Sequence, residues 1–299
     1  TLIQRDDLKL PHLGYTVSYP DLNQALDAAL AASSVRVIHG AEVQGLHSLS
    51  VYAQVRFAHQ GHTRQMTGRL VALAEGGALA AELPGMRRHE HDYQQSALIC
   101  QVDVSVPHQG MAFERFAVDG PLALLPCGDA MMLVWTRQGA AAEALTACDD
   151  ADFIAQLQAA IGDRLGAITG VGARACVPLR LKFALRTVSG RVALVGNAAQ
   201  TMHPVAAQGL NLGLRDAVGL VDSLAGARDI GEAAVLAGFA RQRQLDRRAV
   251  TGFTHSLIQL FDRHDPLLNA ARGLGLTLLD NIAPLRRAFA GHLVFGVGG

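Results

Sequence analysis

The passage from Ser189 to Leu224 constrains the fold more than any other part of the chain. Ser189-Gly190 reads as a turn, and Arg191–Gly196 (RVALVG) as a short apolar strand of the kind buried in a parallel sheet. A glycine-rich loop, Gly196 to Gly209, then leads into a helical pattern with Leu214, Val218, Val221 and Leu224 on one face. Strand, loop of small residues and helix in this order commit the region to α/β organisation. Small residues let a flat or anionic ligand approach the backbone, and the unpaired N–H groups at a helix start favour negative charge. Asn197 sits at the strand's carboxyl end, where open α/β sheets bind ligands, and its amide suits a ligand hydroxyl. A competing reading uses the same glycines only for close packing of helix on strand. Spacing alone leaves both readings open.

The rest of the chain alternates in type. Helical spacing of Leu22, Ala25, Leu26, Ala29 and Leu30 follows Tyr19-Pro20-Asp21, with Asp21 as the expected N-cap. Strand-like runs follow at Val35–His39, Ala41–Leu49, Val51–His59 and Arg69–Ala74, with a turn at Gln60-Gly61-His62. From about residue 92 the pattern is β: Ala97–Val104, Met111–Val118, Leu122–Pro126 and Met131–Arg137, separated by tight-turn residues, predict an antiparallel sheet. A helix is expected over Asp150–Ile161, with Phe153, Ile154, Leu157 and Ala160 on one face, then a strand over Ala173–Phe183. Helical stretches over about 231–262 and 266–288 complete the chain. Arg241, Arg243, Arg247 and Arg248 with Asp246 read as a solvated helix face, and Arg215 and Asp216 as separate polar residues of the preceding helix.

Composition narrows the functional classes. With 26 basic and 26 acidic side chains in 299 residues, the chain has no basic body for nucleic acid. Half the residues are hydrophobic and only 17% are charged, which excludes disorder. No apolar run approaches the ~20 residues of a membrane span, and the charged start TLIQRDDLKL does not read as a signal peptide. Cys100, Cys127, Cys148 and Cys176 are isolated from one another, so a metal site has no support and they read as small buried hydrophobes of a reducing compartment, the cytoplasm.

The stretch Gly196-Asn197-Ala198-Ala199-Gln200-Thr201-Met202-His203-Pro204 through Gln208-Gly209-Leu210-Asn211 to Asp216-Ala217 resembles the third fingerprint of the flavin-dependent aromatic hydroxylases of the p-hydroxybenzoate hydroxylase type, G-D-A-A-H…P…G-x-G-x-N…D-A. The wording is closer to the ubiquinone-biosynthesis branch, whose members hydroxylate polyprenylated phenols. Phe113-Glu114-Arg115-Phe116, Gly120-Pro121-Leu122 to Pro126 and Leu133-Val134-Trp135 agree with that branch. The resemblance implies an α/β (α+β) fold: part of a flavin-binding Rossmann-like domain at residues 1–90 and 185–225, a mainly antiparallel substrate domain at 91–184, and C-terminal helices at 226–299. It implies FAD as cofactor, NAD(P)H as electron donor, and O2 and a prenylated phenol as substrates. Carried over by position, Gly196 and Asn197 face the ribityl and pyrophosphate region. Pro204, Gln208, Gly209, Leu210 and Asn211 line the isoalloxazine, whose N1–C2=O edge turns negative on reduction and suits a helix N-terminus. His203 is the candidate catalytic base, against the plainer reading of a loop anchor.

Two departures shape the expectations. The family's G-x-G-x-x-G unit does not occur in the chain, so a truncated, inactive fragment with FAD absent or poorly held is expected. The second fingerprint appears as Ala74-Glu75-Gly76-Gly77, with Glu for the usual Asp, and Asn197 likewise replaces Asp. A non-catalytic subunit that holds a lipophilic precursor or a partner of the same pathway is the alternative. Other pathway proteins as partners and a peripheral position on the inner membrane stay open. A third option, a nicotinamide oxidoreductase, lacks its fingerprint altogether.

Overall fold

The protein is described from a computed structural model that covers residues 1–117, 120–202, 208–262 and 266–295, without the side chains of residues 251, 253–262 and 266–272. After a 3-10 turn at Arg5–Asp7, helix α1 runs Tyr19–Ala31, followed by β1 (Glu42–Ser48), β2 (Ala53–His59), β3 (His62–Gly68) and β4 (Val71–Leu73). Next come β5 (Arg88–Val104), β6 (Phe113–Ala117), β7 (Gly120–Cys127), β8 (Ala130–Gln138), α2 (Gly139–Ala147), α3 (Asp150–Ile161), β9 (Ile168–Val171) and β10 (Ala175–Ala184). The chain continues through β11 (Val188–Ser189), β12 (Val192–Leu194), β13 (Gln200–Thr201), α4 (Gly209–Leu224), α5 (Ala233–Asp262), α6 (Pro266–Asn281) and α7 (Ala283–Phe295). No helix among the described residues is long and apolar enough to cross a membrane.

Three sheets organise these elements. The largest has the order β13-β10-β5-β8-β7-β6, with β9 added along β5, and every pairing in it is antiparallel. The four strands expected over 97–137 therefore do form antiparallel pairs. One pleat face carries Leu98, Cys100, Val102, Leu122, Leu124, Met131, Leu133 and Trp135, all buried in one cluster. Helix α3 closes that cluster with Phe153 and Leu157, both fully buried, while Ile154 and Ala160 pack at its margin. Its start is set by Asp149, whose side chain accepts from the Asp152 N–H at 2.8 Å. Trp135 belongs to this core, and Phe113, half-buried, packs against it. A second sheet, β1-β2-β3, is antiparallel, and the third is β11-β12-β4.

The third sheet holds the one parallel pairing among the described strands: Val192, Ala193 and Leu194 lie opposite Val71, Ala72 and Leu73. Val192, Ala193 and Leu194 are completely buried, as the apolar run RVALVG requires. Short apolar strands of this type need covering layers, and Leu220, Leu236 and Phe239 from α4 and α5 cover Ala193.

Several expectations are corrected. Val35–His39 is not a strand. Ser18, not Asp21, caps α1: its hydroxyl accepts from the Asp21 N–H, which leaves Asp21 in the first turn where its charge favours the helix N-terminus. Helix α2 and strand β9 lacked a sequence signal, because α2 is Ala-rich and β9 spans only four residues. The last helical stretch is two helices, broken at Ile282 before Pro284. Of the cysteines only Cys100 is buried, and Cys127, Cys148 and Cys176 are half-buried.

The Arg191 side chain is buried at the start of β12. It donates to Ser50 O at 2.7 Å and Arg69 O at 3.0 Å, and forks onto both carboxylate oxygens of Asp229 at 2.8 and 2.6 Å. This hydrogen-bonded guanidinium, with the Gly231 N–H, holds the Asp229 carboxyl down at about 2. Its stabilising effect is therefore full above the ordinary carboxylate range and is lost as pH falls from about 4 toward 2. Asp229→Asn is expected to lower Tm at neutral pH and to flatten the acid-side fall of Tm across that window, measured by thermal unfolding against pH. Burial pushes the Cys100 thiol up to about 11, so alkylation at pH 8 should label Cys127, Cys148 and Cys176 well before Cys100, as read by peptide mass spectrometry.

Candidate functional site

Parallel pairing of β4 with β12 puts the carboxyl ends of both strands on the same edge. The segment after β4 is Ala74-Glu75-Gly76-Gly77, and the segment after β12 is Val195-Gly196-Asn197-Ala198, so segments offset by 121 residues in sequence meet here. Arg88, at the start of β5, joins the two: its Nη1 donates to Gly76 O at 2.7 Å and its Nη2 to Asn197 O at 3.4 Å. Glu75 shapes its own turn, accepting from the N–H groups of Gly77 at 2.7 Å and Ala78 at 3.0 Å. Glutamate in place of the fingerprint's aspartate is thus a turn-forming residue in this chain. Nothing in the sequence marked Arg88, because its role depends on two loops that meet only in three dimensions.

Gly196 adopts φ +55°, a left-handed conformation that turns the chain off β12 toward α4. Its Cα lies against Gly213 of α4, where a Cβ on Gly213 would stand only 3.3 Å away. These two glycines serve close approach of helix and strand end. Gly209 is different. A Cβ there would meet nothing within 4 Å, so no packing within the described structure requires glycine at this position. Leu210 and Asn211 are exposed beside it, and Asn197 is exposed at the strand end. The first-turn N–H groups of α4 have no intrahelical acceptors. Gln208, just before the helix, is buried and donates from Nε2 to Leu293 O of α7 at 2.7 Å, which anchors the entry to the turn.

Of the sequence-predicted site residues, Gly196, Asn197, Gln208, Gly209, Leu210 and Asn211 are all placed along the β12–α4 connection. His203 and Pro204 lie outside the described residues. The open, donor-rich turn at Gly209 and the exposed strand end at Asn197 suit a flat, anionic cofactor such as a flavin. Among the described residues no group of three His, Cys, Asp or Glu could hold a metal ion.

Sequence reasoning missed a buried charge cluster behind this surface. Asp216 is 1% exposed and accepts from the Gly196 N–H at 3.2 Å, Gln200 Nε2 at 2.7 Å and Arg243 Nε at 2.9 Å. Arg243 also donates to Asp246 at 2.8 Å, and Arg215 reaches Asp246 at 3.0 Å. Arg247 is half-buried and donates to Ala184 O at 2.8 Å, and burial pushes its guanidinium below the usual arginine range. The reading of this cluster as a solvated face holds for Arg241 and Arg248, which are exposed, and fails for Arg243, Asp246 and the half-buried Arg247; the reading of Arg215 and Asp216 as separate fails as well. Arg215 and Asp216 point their charges into one network because α5 crosses α4 there.

Comparison with known proteins fits this geometry. The family described as "FAD binding domain" matches residues 7–254. The chain is 33% identical over 288 residues to 3-demethoxyubiquinol 3-hydroxylase of Escherichia coli, covering 94% of this chain and 73% of that protein. It is 37% identical over 230 residues to ubiquinone hydroxylase UbiL of Rhodospirillum rubrum, covering 75% of this chain and 54% of that protein, so it spans about half that relative's length. Among solved structures, p-nitrophenol 4-monooxygenase PnpA from Pseudomonas putida superposes with a TM-score of 0.72 at 13% identity, covering 93% of this chain and 72% of that one. Klebsiella pneumoniae HpxO, solved with FAD and uric acid, gives 0.70 at 18%, covering 94% and 72%. Those two likenesses establish the fold. With the fingerprint loops paired at one sheet edge and a family match over most of its length, the chain belongs to the FAD-binding-domain family of flavin-dependent hydroxylases.

Proposed function

We propose that the chain binds FAD at the β12–α4 connection and hydroxylates the ring of a polyprenylated phenol in ubiquinone biosynthesis, with O2 as co-substrate and NAD(P)H as reductant. The observation that carries this reading is the open first turn of α4 at Gly209, beside two strand-end loops that Arg88 ties together. When bound, FAD supplies the redox chemistry, passing electrons from the nicotinamide to oxygen. The residues of the chain bind and orient. Gly209, lacking a side chain, would let the ring system reach the backbone, and the N–H groups of Gly209, Leu210 and Asn211 would serve the edge that becomes negative on reduction. Asn197 offers its amide to the ribityl hydroxyls. Gln208, whose side chain is held by Leu293 O, would border the ring, and by the sequence resemblance Pro204 would join it and His203 would be the base for the phenol proton.

The division of labour in this proposal follows the sheets. Residues 1–90 and 185–225 hold the flavin, residues 91–184 cover the substrate, and 226–299 brace both. A prenyl tail fits the second pleat face of the large sheet, where Ile99, Met132, Val134 and Leu125 are half-buried on the side away from the core cluster. An inactive chain with FAD absent or poorly held, as expected from the lack of a G-x-G-x-x-G sequence, is the opposite outcome of the FAD titration.

Titration of the chain with FAD, followed by flavin fluorescence, tests the site against simple packing. Gly209→Val is expected to abolish FAD binding while Tm stays close to that of the unmodified chain, because the new side chain enters open space. Gly213→Val should instead destabilise the fold by ~1–3 kcal/mol, because its Cβ is forced onto Gly196. Undiminished FAD affinity in Gly209→Val would remove this loop from the cofactor site.

A further inference from the structure

We infer that Asp216 is a positioning residue for the cofactor loop, a role that rests on the flavin reading above. The loop leaves β12 at Gly196 and ends where α4 begins at Gly209, and Asp216 sits two turns into that helix. One carboxylate oxygen, Oδ2, accepts from the Gly196 N–H and from Gln200 Nε2, at 3.2 and 2.7 Å. The loop's first residues are thereby fixed to the helix that its last residues start. The other oxygen, Oδ1, accepts from Arg243 Nε at 2.9 Å.

Packing makes the arrangement possible. Gly213, Asp216 and Gly219 follow at intervals of three on one face of α4. Gly213 admits the Gly196 backbone, and Gly219 admits Arg243, whose Cδ would stand 3.0 Å from a Cβ there. Asp216 lies between the two, where it reaches both. Arg243 cannot swing away, because Asp246 holds its Nη2 at 2.8 Å and is itself paired with Arg215 at 3.0 Å. Two carboxylates and two guanidiniums form a charge-balanced group with three of its members buried.

The consequence is geometric. Direct contact with the flavin falls to Gly196, Asn197 and the first turn of α4, while Asp216 sets the angle and spacing between them. An amide at position 216 has one acceptor oxygen; with that oxygen on Arg243 its NH2 faces the Gly196 N–H and Gln200 Nε2, which lose their acceptor together, and the two ends of the loop lose their common reference. A carboxylate that merely stabilised the fold would show no such local effect. Asp229 is the natural control, since it also pairs with a buried arginine but at the other end of β12.

The test compares Asp216→Asn with Asp229→Asn by hydrogen-exchange mass spectrometry without ligand, and by FAD titration normalised to folded protein. Asp216→Asn is expected to speed exchange selectively in residues 196–200 and 208–212 and to weaken FAD binding about tenfold. It should also shift the visible band of whatever flavin remains. Asp229→Asn should lower Tm while leaving local exchange, FAD affinity and the flavin band unchanged. Equal, global effects of the two variants overturn the inference, as does faster loop exchange with FAD affinity unaltered. If the unmodified chain itself takes up no FAD, the proposed function fails. The exchange data alone then decide whether Asp216 fixes the loop.

Discussion

The parallel pairing of β4 with β12 is the constraint on which the rest of the site depends. It involves only three residues a side, yet it is what brings 74–77 beside 195–198. Antiparallel neighbours would place those two segments at opposite ends of the sheet. A parallel pair so short cannot be sustained by its own hydrogen bonds. The complete burial of Val192, Ala193 and Leu194 between the cluster around Leu46 and Leu73 on one side and the α4–α5 layer on the other supplies what the ladder cannot.

Polar anchors then fix what apolar burial leaves adjustable. Hydrophobic contact is non-directional, so α4 could slide or rotate on β12 at modest cost. Asp216 and Arg191 remove that freedom at the two ends of the strand, Asp216 through the Gly196 N–H and the side chains of Gln200 and Arg243, and Arg191 through the carbonyls of Ser50 and Arg69. Buried ion pairs of this kind add little net stability relative to apolar packing, whereas removing one partner costs about 3–5 kcal/mol. Their value lies in defining one geometry. The large antiparallel sheet behaves differently: its core is an apolar cluster closed by Phe153 and Leu157, with Arg174 over the Phe153 ring at 5.1 Å, and the pleat register decides which side chains enter it.

Much of this was legible in the sequence where one local pattern sufficed. Asp150–Ile161 was recovered to the residue because an aspartate cap, a 3.6-residue apolar stripe and Gly162 all agree. The strands of 97–137 announced themselves through period-two alternation and turn residues, and the glycine-rich loop through its unusual density of small side chains. What failed needed tertiary information. Val35–His39 has strand-forming residues but no neighbouring strand to pair with. Arg243 and Asp246 look like solvent charges in a helix rich in arginine, and only the crossing of α4 over α5 buries them. Arg88 carried no signal at all.

The glycines of the fingerprint show why motif and structure must be read together. In sequence, Gly196, Gly209 and Gly213 are equivalent members of one small-residue pattern. In space they separate into two kinds. Gly213 is needed where the helix meets the strand end, since a Cβ there would stand 3.3 Å from the Gly196 Cα, and Gly196 is needed for its φ of +55°. Gly209 faces outward from the start of a helix, and its missing side chain is used by nothing else in the described structure. Open space at the α4 N-terminus and the exposed Asn197 at the adjacent strand end are the features on which the proposed cofactor site rests.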